Sequence, residues 1–193
     1  PLIVKVASIQ KERMQVYFID NDEYFKLEES FDKDGELYAD NDERCIFFAK
    51  GIVETVKKLN WSPDLIHIQG WLGALLPLYL QTYCKEEPIF QHTKVITCFL
   101  REPFIGSLDE GILEKIAFDE ITPDQAPELK EPNSMNLIKL ASRYSDGVTT
   151  LRGTLPEEAI SYITSLGKPF LCEENIETTC KSYPQFYKEV MGK

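Results

Sequence analysis

The feature that most constrains the fold is a strand, helix, strand pattern in the middle of the chain. Residues 65–68 form a short, almost entirely apolar run after Pro63 and Asp64, and such runs are typical of strands buried on both faces of a parallel sheet. Residues 71–83 are predicted to form an apolar helix, and residues 94–99 the next strand. This spacing predicts a βαβ crossover unit, and therefore an α/β fold with a mostly parallel sheet.

Extended and helical patterns also precede this unit. Residues 2–9 and 14–19 are rich in β-forming residues and are separated by four polar residues, which predicts an N-terminal β-hairpin. Apolar residues recur at three- and four-residue steps over residues 45–59, which predicts a helix that begins near Asp40. Asp40 and Glu43 have the spacing of a capping box. In this motif the Asp40 side chain accepts a hydrogen bond from the N–H of Glu43, and the Glu43 carboxylate reaches back to the N–H of Asp40.

Helices and a strand are also predicted in the second half of the chain. The predicted segments are helices over 111–118, over 134–144 and from residue 155 onward, with a strand over 148–151. Residues 154–157 have the T-x-x-E capping spacing with a proline in the first turn. Prolines in residues 101–131 limit that segment to short helical pieces, and we interpret it as an insertion. We therefore expect a single Rossmann-like α/β domain over residues 1–193, a three-layer sandwich.

Composition excludes several classes of protein. The 193 residues are 43% hydrophobic and carry 21 basic against 32 acidic side chains, a net charge of −11. This charge repels nucleic acid and anionic lipid, and no apolar run approaches the roughly 18 residues of a membrane span. Five cysteines without a C-x-x-C pair, together with the lack of a signal peptide, suit a reducing cytoplasm. The cysteines and two histidines have no ligand spacing, so we expect no metal and no cofactor.

The residues after the first central strand form a candidate site. Ligands of open parallel sheets gather at the carboxyl ends of the strands, where Gln69, Gly70 and Trp71 lie. Two interpretations stay open, because these residues could bind a ligand, or Gly70 could permit a tight turn while Trp71 closes the core. His67 is better explained as a hydrogen-bonded core histidine than as a catalytic base. Cys98 is better explained as a buried, unreactive thiol.

The remaining polar features assign no reaction. The acidic residues of the segment 20–43 are interpreted as a solvated surface and as helix caps. The sequence contains no P-loop, no G-x-G-x-x-G fingerprint and no G-x-S-x-G nucleophile elbow. Residue spacing alone therefore predicts a fold and a candidate ligand site at the carboxyl edge of the sheet, but no reaction.

Four stretches together carry a resemblance to a known family. Residues 38–48 read Y-A-D-N-D-E-R-C-I-F-F, and residues 63–80 read P-D-L-I-H-I-Q-G-W-L-G-A-L-L-P-L-Y-L. With residues 16–25 and 146–158, they resemble the N-terminal catalytic domain of the glycogen and starch synthase family. These retaining glycosyltransferases pass glucose from ADP-glucose or UDP-glucose to an α-1,4-glucan. The resemblance covers residues 14–165.

The resemblance implies a fold and a set of substrate-binding positions. The family has two Rossmann-like domains with the active site between them, and this chain corresponds to part of the first domain. The positions that it places nearest the sugar and the glucan are Tyr38, Asp40, Asn41, Gln69, Gly70 and Trp71. No catalytic residue is assigned within the chain. The H-D-W signature of the family is here Gln69-Gly70-Trp71, which replaces an imidazole by an amide that can form hydrogen bonds but cannot titrate.

Two departures from the family pattern bear on activity. The K-x-G-G loop, which faces the donor diphosphate in the family, does not occur in the sequence, and residues 97–106 lack the His, Asn and Gln of the T-x-H-N-x-x-Y-Q-G pattern. We therefore expect the chain alone to be inactive. The alternative is a non-catalytic glucan-binding or regulatory relative that keeps the fold without the chemistry. A flavodoxin-like nucleotide binder is disfavoured because a glycine-rich phosphate loop is missing.

The resemblance also predicts an open sheet edge. In the family, a strand from further upstream pairs beside the strand at residues 65–68. If it is absent, unpaired backbone amides and carbonyls remain. We expect the edge to be covered by a second copy of the chain in a homo-oligomer, by a rearranged hairpin or by a swapped strand.

Overall fold

The computed structural model describes residues 1–25, 36–100, 104–151, 155–172 and 176–193, apart from the side chains of residues 176, 179 and 180. The strands are β1 (Ile3–Ile9), β2 (Met14–Asp20), β3 (Leu65–Gln69), β4 (Lys94–Leu100), β5 (Gly147–Leu151) and β6 (Phe170–Leu171). The helices are α1 (Asn41–Leu59), α2 (Leu76–Gln81), α3 (Ile112–Ala117), α4 (Ser134–Tyr144), α5 (Glu157–Ser165) and α6 (Ile176–Met191). Residues 26–35 of the acidic segment 20–43, and the predicted capping residue Thr154, lie outside the described residues.

The central sheet is parallel and has the strand order β3-β4-β5-β6. Its register pairs Ile66 with Val95, Thr97 with Val148, and Val148 with Phe170. The predicted hairpin is confirmed, since β1 and β2 pair antiparallel in a separate two-stranded sheet. In the described part of the chain β3 is therefore an edge strand, and the prediction that a rearranged hairpin covers its free edge is wrong.

Helices cover both faces of the central sheet. Adjacent residues of a strand point to opposite faces, and Val95 packs in the large core that includes residues of α1, α2, α4 and α5. Ile96 packs instead with Phe186 and Val190 of α6 in a second, smaller core. The sheet thus lies between two helical layers, which confirms the predicted Rossmann-like three-layer α/β fold. Neither β6 nor α6 was predicted from the sequence.

Helix α1 begins where the sequence predicts, but its first turn is built differently. Asp40 occupies the N-cap position without a side-chain bond to the helix N–H groups. Its carboxylate instead accepts two hydrogen bonds from the guanidinium of Arg44, at 3.0 and 3.1 Å. The predicted capping box is therefore wrong, because Arg44, one turn further along the helix, competes for the Asp40 carboxylate and Glu43 binds other partners.

The helix predicted over residues 71–83 is shorter than expected. A 3₁₀ turn covers Trp71–Gly73, and α2 extends only over Leu76–Gln81. A Cβ on Gly73 would lie 2.6 Å from Ile68 Cγ2, so this turn packs directly on strand β3. A side chain at this position would require Ile68 to move, so the close approach favours glycine.

The prediction for α5 needs a smaller correction. The helix begins at Glu157, and Pro156 occupies the N-cap position rather than the first turn. Pro156 forms no side-chain cap, and the two glutamates of the first turn, Glu157 and Glu158, lie at the end of the helix where negative charge is favourable.

Candidate functional site

The turn after β3 is fixed by the backbone of Gly70. Its φ of 80° and ψ of 168° lie in a region that is essentially restricted to glycine. The Gly70 N–H donates a hydrogen bond of 3.0 Å to the carbonyl of Cys98 on β4. The proposed conformational role of Gly70 is thus supported, and the exposed side chain of Gln69 is held at the carboxyl end of the sheet.

Trp71 lies beside this turn and is half-buried. Its indole packs on the ring of the buried Phe104, with ring centroids 5.0 Å apart in an edge-to-face arrangement. It also packs against the large core. The structural interpretation of Trp71 is therefore supported, and the partial exposure of the residue leaves the binding interpretation open.

The segment before α1 contributes the other candidate residues. The guanidinium of Arg44 lies 4.9 Å from the centroid of the Tyr38 ring while it also bonds to Asp40. Tyr38 and Asp40 are half-buried, but Asn41 is only 1% exposed. Tyr38 and Asp40 can therefore face a ligand, and the Asn41 side chain lies inside the turn.

The helix that follows the segment 38–41 contacts the turn after β3. Phe48 of α1 packs on the turn at Trp71–Gly73, since its ring lies 3.9 Å from the position of a Cβ on Gly73. Asp40 lies about two turns before Phe48 at the start of the same helix. The structure thus brings α1 onto the turn that follows β3.

Two carboxylates at the first turn of α1, the buried Asp42 and the partly exposed Glu43, share a lysine. Asp42 is fully buried and binds Lys115 of α3 at 2.6 Å, and Glu43 binds the same ammonium at 2.8 Å. The Tyr24 hydroxyl donates to Glu43 at 3.0 Å. The interpretation of these acids as a solvated surface is therefore wrong for Asp42, whose carboxylate is neutralised by a lysine 73 residues further along the chain.

The electrostatics of this cluster favour the charged forms of Glu43 and Lys115. Hydrogen bonds from Lys115 and then Tyr24 lower the pKa of Glu43 below its ordinary value. Partial burial opposes the charge of Lys115, but its bonds to Asp42 and Glu43 prevail and raise its pKa. A cavity of about 480 Å³ adjoins the cluster and is lined in part by Tyr24, Glu43, Phe47 and Lys115. The contacts of Lys115 and Tyr24 with these acids were not predicted, because local sequence patterns give no information on contacts between residues so far apart in the chain.

His67 and Cys98, which are interpreted from the sequence as structural residues, both pack inside the fold. His67 Nδ1 lies 2.7 Å from the Tyr187 hydroxyl, and burial lowers the pKa of the imidazole. Cys98 is fully buried, and burial raises the pKa of its thiol. Both interpretations are confirmed, and neither group is placed to act as a base or a nucleophile.

Comparison with known proteins decides the family. Residues 2–167 match the family model of the starch synthase catalytic domain. The chain belongs to this glycosyltransferase family. It is 29% identical to the glycogen synthase of Chlorobium limicola over 164 residues, which cover 82% of this chain and 32% of the relative. It is 32% identical to the glycogen synthase of Elusimicrobium minutum over 144 residues, 74% of this chain and 30% of the relative.

A solved starch synthase structure shares the fold. The catalytic domain of starch synthase IV from Arabidopsis thaliana, bound to ADP and acarbose, superposes with a TM-score of 0.64 at 20% identity. The superposition covers 94% of this chain and 38% of that one. The chain thus spans about a third of the length of the glycogen synthases that it matches, and the resemblance of the glycogen and starch synthase motifs is confirmed.

The family match ends at residue 167, before β6 and α6. This explains why the motifs gave no information on the C-terminal helix. Its helical spacing of Tyr183, Phe186, Tyr187 and Val190 is nevertheless present in the sequence and could have revealed it. In the described part of the chain, no helix combines the length and the apolar character needed to cross a membrane.

Proposed function

We propose that this chain is part of a glycogen or starch synthase-like glucosyltransferase that moves glucose from ADP-glucose or UDP-glucose to an α-1,4-glucan. The observation that carries the proposal is the family match over residues 2–167 on a Rossmann-like sheet whose carboxyl edge presents Gln69 and Trp71. The chain alone is expected to be inactive, because the family's diphosphate-facing K-x-G-G loop does not occur in it.

The candidate residues suit recognition of a sugar. The exposed part of the Trp71 ring offers an apolar surface for the C–H face of a pyranose. The Gln69 amide can both donate to and accept from sugar hydroxyls. Tyr38 and Asp40 add a hydroxyl and a carboxylate at the start of α1, with Asn41 supporting their turn, and Gly70 keeps the approach to the backbone free of a side chain.

A non-catalytic glucan-binding or regulatory role is the second candidate. It is favoured by the amide at Gln69, since a side chain that cannot titrate replaces the imidazole of the family signature. The bidentate bond between Arg44 and Asp40 favours it too, because a carboxylate held in this way is less available to a substrate.

Glucose transfer distinguishes the two candidates. The protein at its full natural length is incubated with glycogen and either ADP-[¹⁴C]glucose or UDP-[¹⁴C]glucose, and label in the polymer is counted. Incorporation from one donor supports the transferase. No incorporation from either donor, with glycogen binding retained in affinity electrophoresis, supports the binding module.

Glucan binding tests the site itself. We expect Trp71→Ala and Gln69→Ala to weaken glycogen binding about tenfold, a loss of about 1.4 kcal/mol. The matched control is Trp61→Ala, because Trp61 is 58% exposed and lies beyond the end of α1. Equal binding by the Gln69→Ala and wild-type proteins, or equal losses at Trp61 and Trp71, would contradict the proposed site.

We also propose that residues 1–193 act as one α/β domain in the cytoplasm, and that a second copy covers the free edge of β3. Leu65 and Ile66 of this edge strand are half-buried and apolar, and β3 carries none of the lysines or prolines that usually block an edge. Multi-angle light scattering across a dilution series is the test. A concentration-dependent dimer is expected, and a strict monomer at all concentrations contradicts the pairing.

A further inference from the structure

The C-terminal helix α6 rests on a histidine in the central sheet. The ring of His67 contacts Tyr183 and Tyr187 of α6, with centroid separations of 5.2 and 5.7 Å and nearly perpendicular planes. The two tyrosine rings stack on each other 5.4 Å apart. Phe186 and Val190 provide the apolar part of the contact. The interface between α6 and the central sheet is therefore partly apolar and partly polar.

The surroundings of His67 accommodate the neutral imidazole better than the charged one. Its Nδ1 atom bonds to the Tyr187 hydroxyl at 2.7 Å, and a hydroxyl can donate or accept, so either neutral tautomer keeps this bond. The Nε2 atom is buried and has no hydrogen-bond partner among the described residues. Protonation makes both nitrogens donors, and it would leave a charged N–H group buried without an acceptor.

Among the described residues, no acidic side chain compensates this charge. The titratable groups of the described residues that face the imidazole are the phenols of Tyr183 and Tyr187 from α6, and the thiol of Cys98 from β4 lies 3.8 Å from the Tyr183 hydroxyl. Burial is the cause that lowers the pKa of His67, and within the described residues no carboxylate counters it. The docked helix consequently favours the uncharged ring.

We propose that His67 is an acid-sensitive latch, and that its protonation releases α6 from the face of β3 and β4. His67 and Gln69 are two residues apart on one strand and point to the same face. Release of α6 therefore uncovers the surface that leads along β3 to the exposed Gln69 at the carboxyl edge. The latch concerns the docking of a helix, so it stands whether or not the protein transfers glucose.

The direction of the effect follows from linkage. The pKa of His67 lies below the ordinary 6.5 in the docked state and returns toward it when α6 is released. Docking is therefore fully stable above about pH 6.5 and weakens as the pH falls from there toward the lowered value. In that range the population of the released state rises by up to about tenfold per pH unit.

Hydrogen exchange of α6 tests the latch. Amide protection of residues 176–191 is measured by mass spectrometry between pH 7.5 and 5.5, corrected for intrinsic exchange, with β4 as the internal reference. We expect protection of α6 to fall by up to about tenfold between pH 6.5 and 5.5 while β4 stays protected. A parallel loss in both segments would indicate global unfolding and overturn the proposal.

The chain offers a matched control because it contains only two histidines, His67 and the exposed His92. His67→Gln is expected to abolish the pH dependence, and His92→Gln to retain it. Equal pH dependence in wild type and His67→Gln overturns the latch. His67→Phe provides a second variant without a titrating group if the glutamine disturbs the fold.

A measurement on the wild type does not depend on any variant of His67. The ring signals of the two histidines are followed by NMR, with His92→Gln used to assign them. Titration of His67 in step with the loss of α6 protection supports the latch. Titration of His67 near its ordinary pKa while α6 stays fully protected overturns it.

Discussion

The two faces of the parallel sheet are built from different kinds of contact. The face covered by α1, α2 and α4 buries a long series of apolar side chains, among them Leu140, Val95 and Phe99, in one large core. On the face covered by α6, the described residues form a smaller apolar core of Ile96, Phe186 and Val190, and beside it lie His67 and a tyrosine pair. The family match includes the helices of the first face and ends before α6.

In this fold, one face of the sheet provides most of the stability and the other face responds to pH. Apolar burial does not depend on protonation, so the large core holds the sheet together at any moderate pH. A small core beside the half-buried imidazole of His67 gains less free energy from burial and depends on the charge of that imidazole. The α6 face is therefore the one that can open without unfolding the rest.

The strongest test of the difference between the two faces is a substitution that creates a cavity in the large core. Leu140 of α4 is fully buried, and Leu140→Ala should lower the free energy of unfolding by about 2–5 kcal/mol. Urea unfolding measures this loss. The control is Leu59→Ala, since Leu59 is 42% exposed at the end of α1 and should change stability little. A cost below about 1 kcal/mol for Leu140→Ala would mean that the core does not dominate stability.

The buried charge pair tests whether apolar contacts suffice on that face. Lys115→Met leaves the fully buried carboxylate of Asp42 without its partner, and we expect a loss of about 2–4 kcal/mol at pH 7. The matched control is Lys139→Met, because the partner of Lys139, Glu158, is 66% exposed and such pairs contribute about 0–1 kcal/mol. Equal losses in the two variants, measured in urea, would contradict the role given to burial.

A substitution beneath α6 probes the weaker face. A Cβ on Gly147 would lie 2.6 Å from Val190 Cγ2 and 3.2 Å from Phe186 Cζ. Gly147→Ala should therefore displace α6 at a cost of about 1–3 kcal/mol, with faster hydrogen exchange in residues 176–191 and little change in β4. Unchanged exchange in α6 would show that the helix can shift without cost, and the contrast between the faces would then be smaller than we infer.

Local patterns predicted the large core well. The apolar run at 65–68 and the helical spacing of residues 134–144 are short-range signals, and both elements form where they were predicted. Motifs also identified the family, whose model matches residues 2–167 and so includes the stretches 38–48 and 63–80. These features depend on neighbours in sequence, and one sequence is enough to read them.

The rest depends on contacts between distant residues. Arg44 donates to the Asp40 carboxylate, which therefore does not cap the helix as predicted. Lys115 neutralises Asp42, 73 residues away in sequence. The interface between α6 and the central sheet joins His67 to Tyr187, 120 residues apart. Whether a polar side chain is buried or exposed is decided by such partners, which is why the acidic segment before α1 was interpreted as solvated surface.

The last effect concerns the backbone of the turn after β3, at the carboxyl edge of the sheet. Gly70 adopts φ 80° and ψ 168°, and the only neighbour within 4 Å of a Cβ there is Leu100 Cδ1, at 4.0 Å among the described residues. Gly70→Ala therefore meets no obstruction, and its cost is conformational, about 1–3 kcal/mol. Because the Gly70 N–H bonds to Cys98 O, relief of this strain would move Gln69 relative to β4. We expect glycogen binding to weaken more than stability, as measured by affinity electrophoresis beside urea unfolding. Full binding by a destabilised Gly70→Ala protein would place the glucan away from this turn.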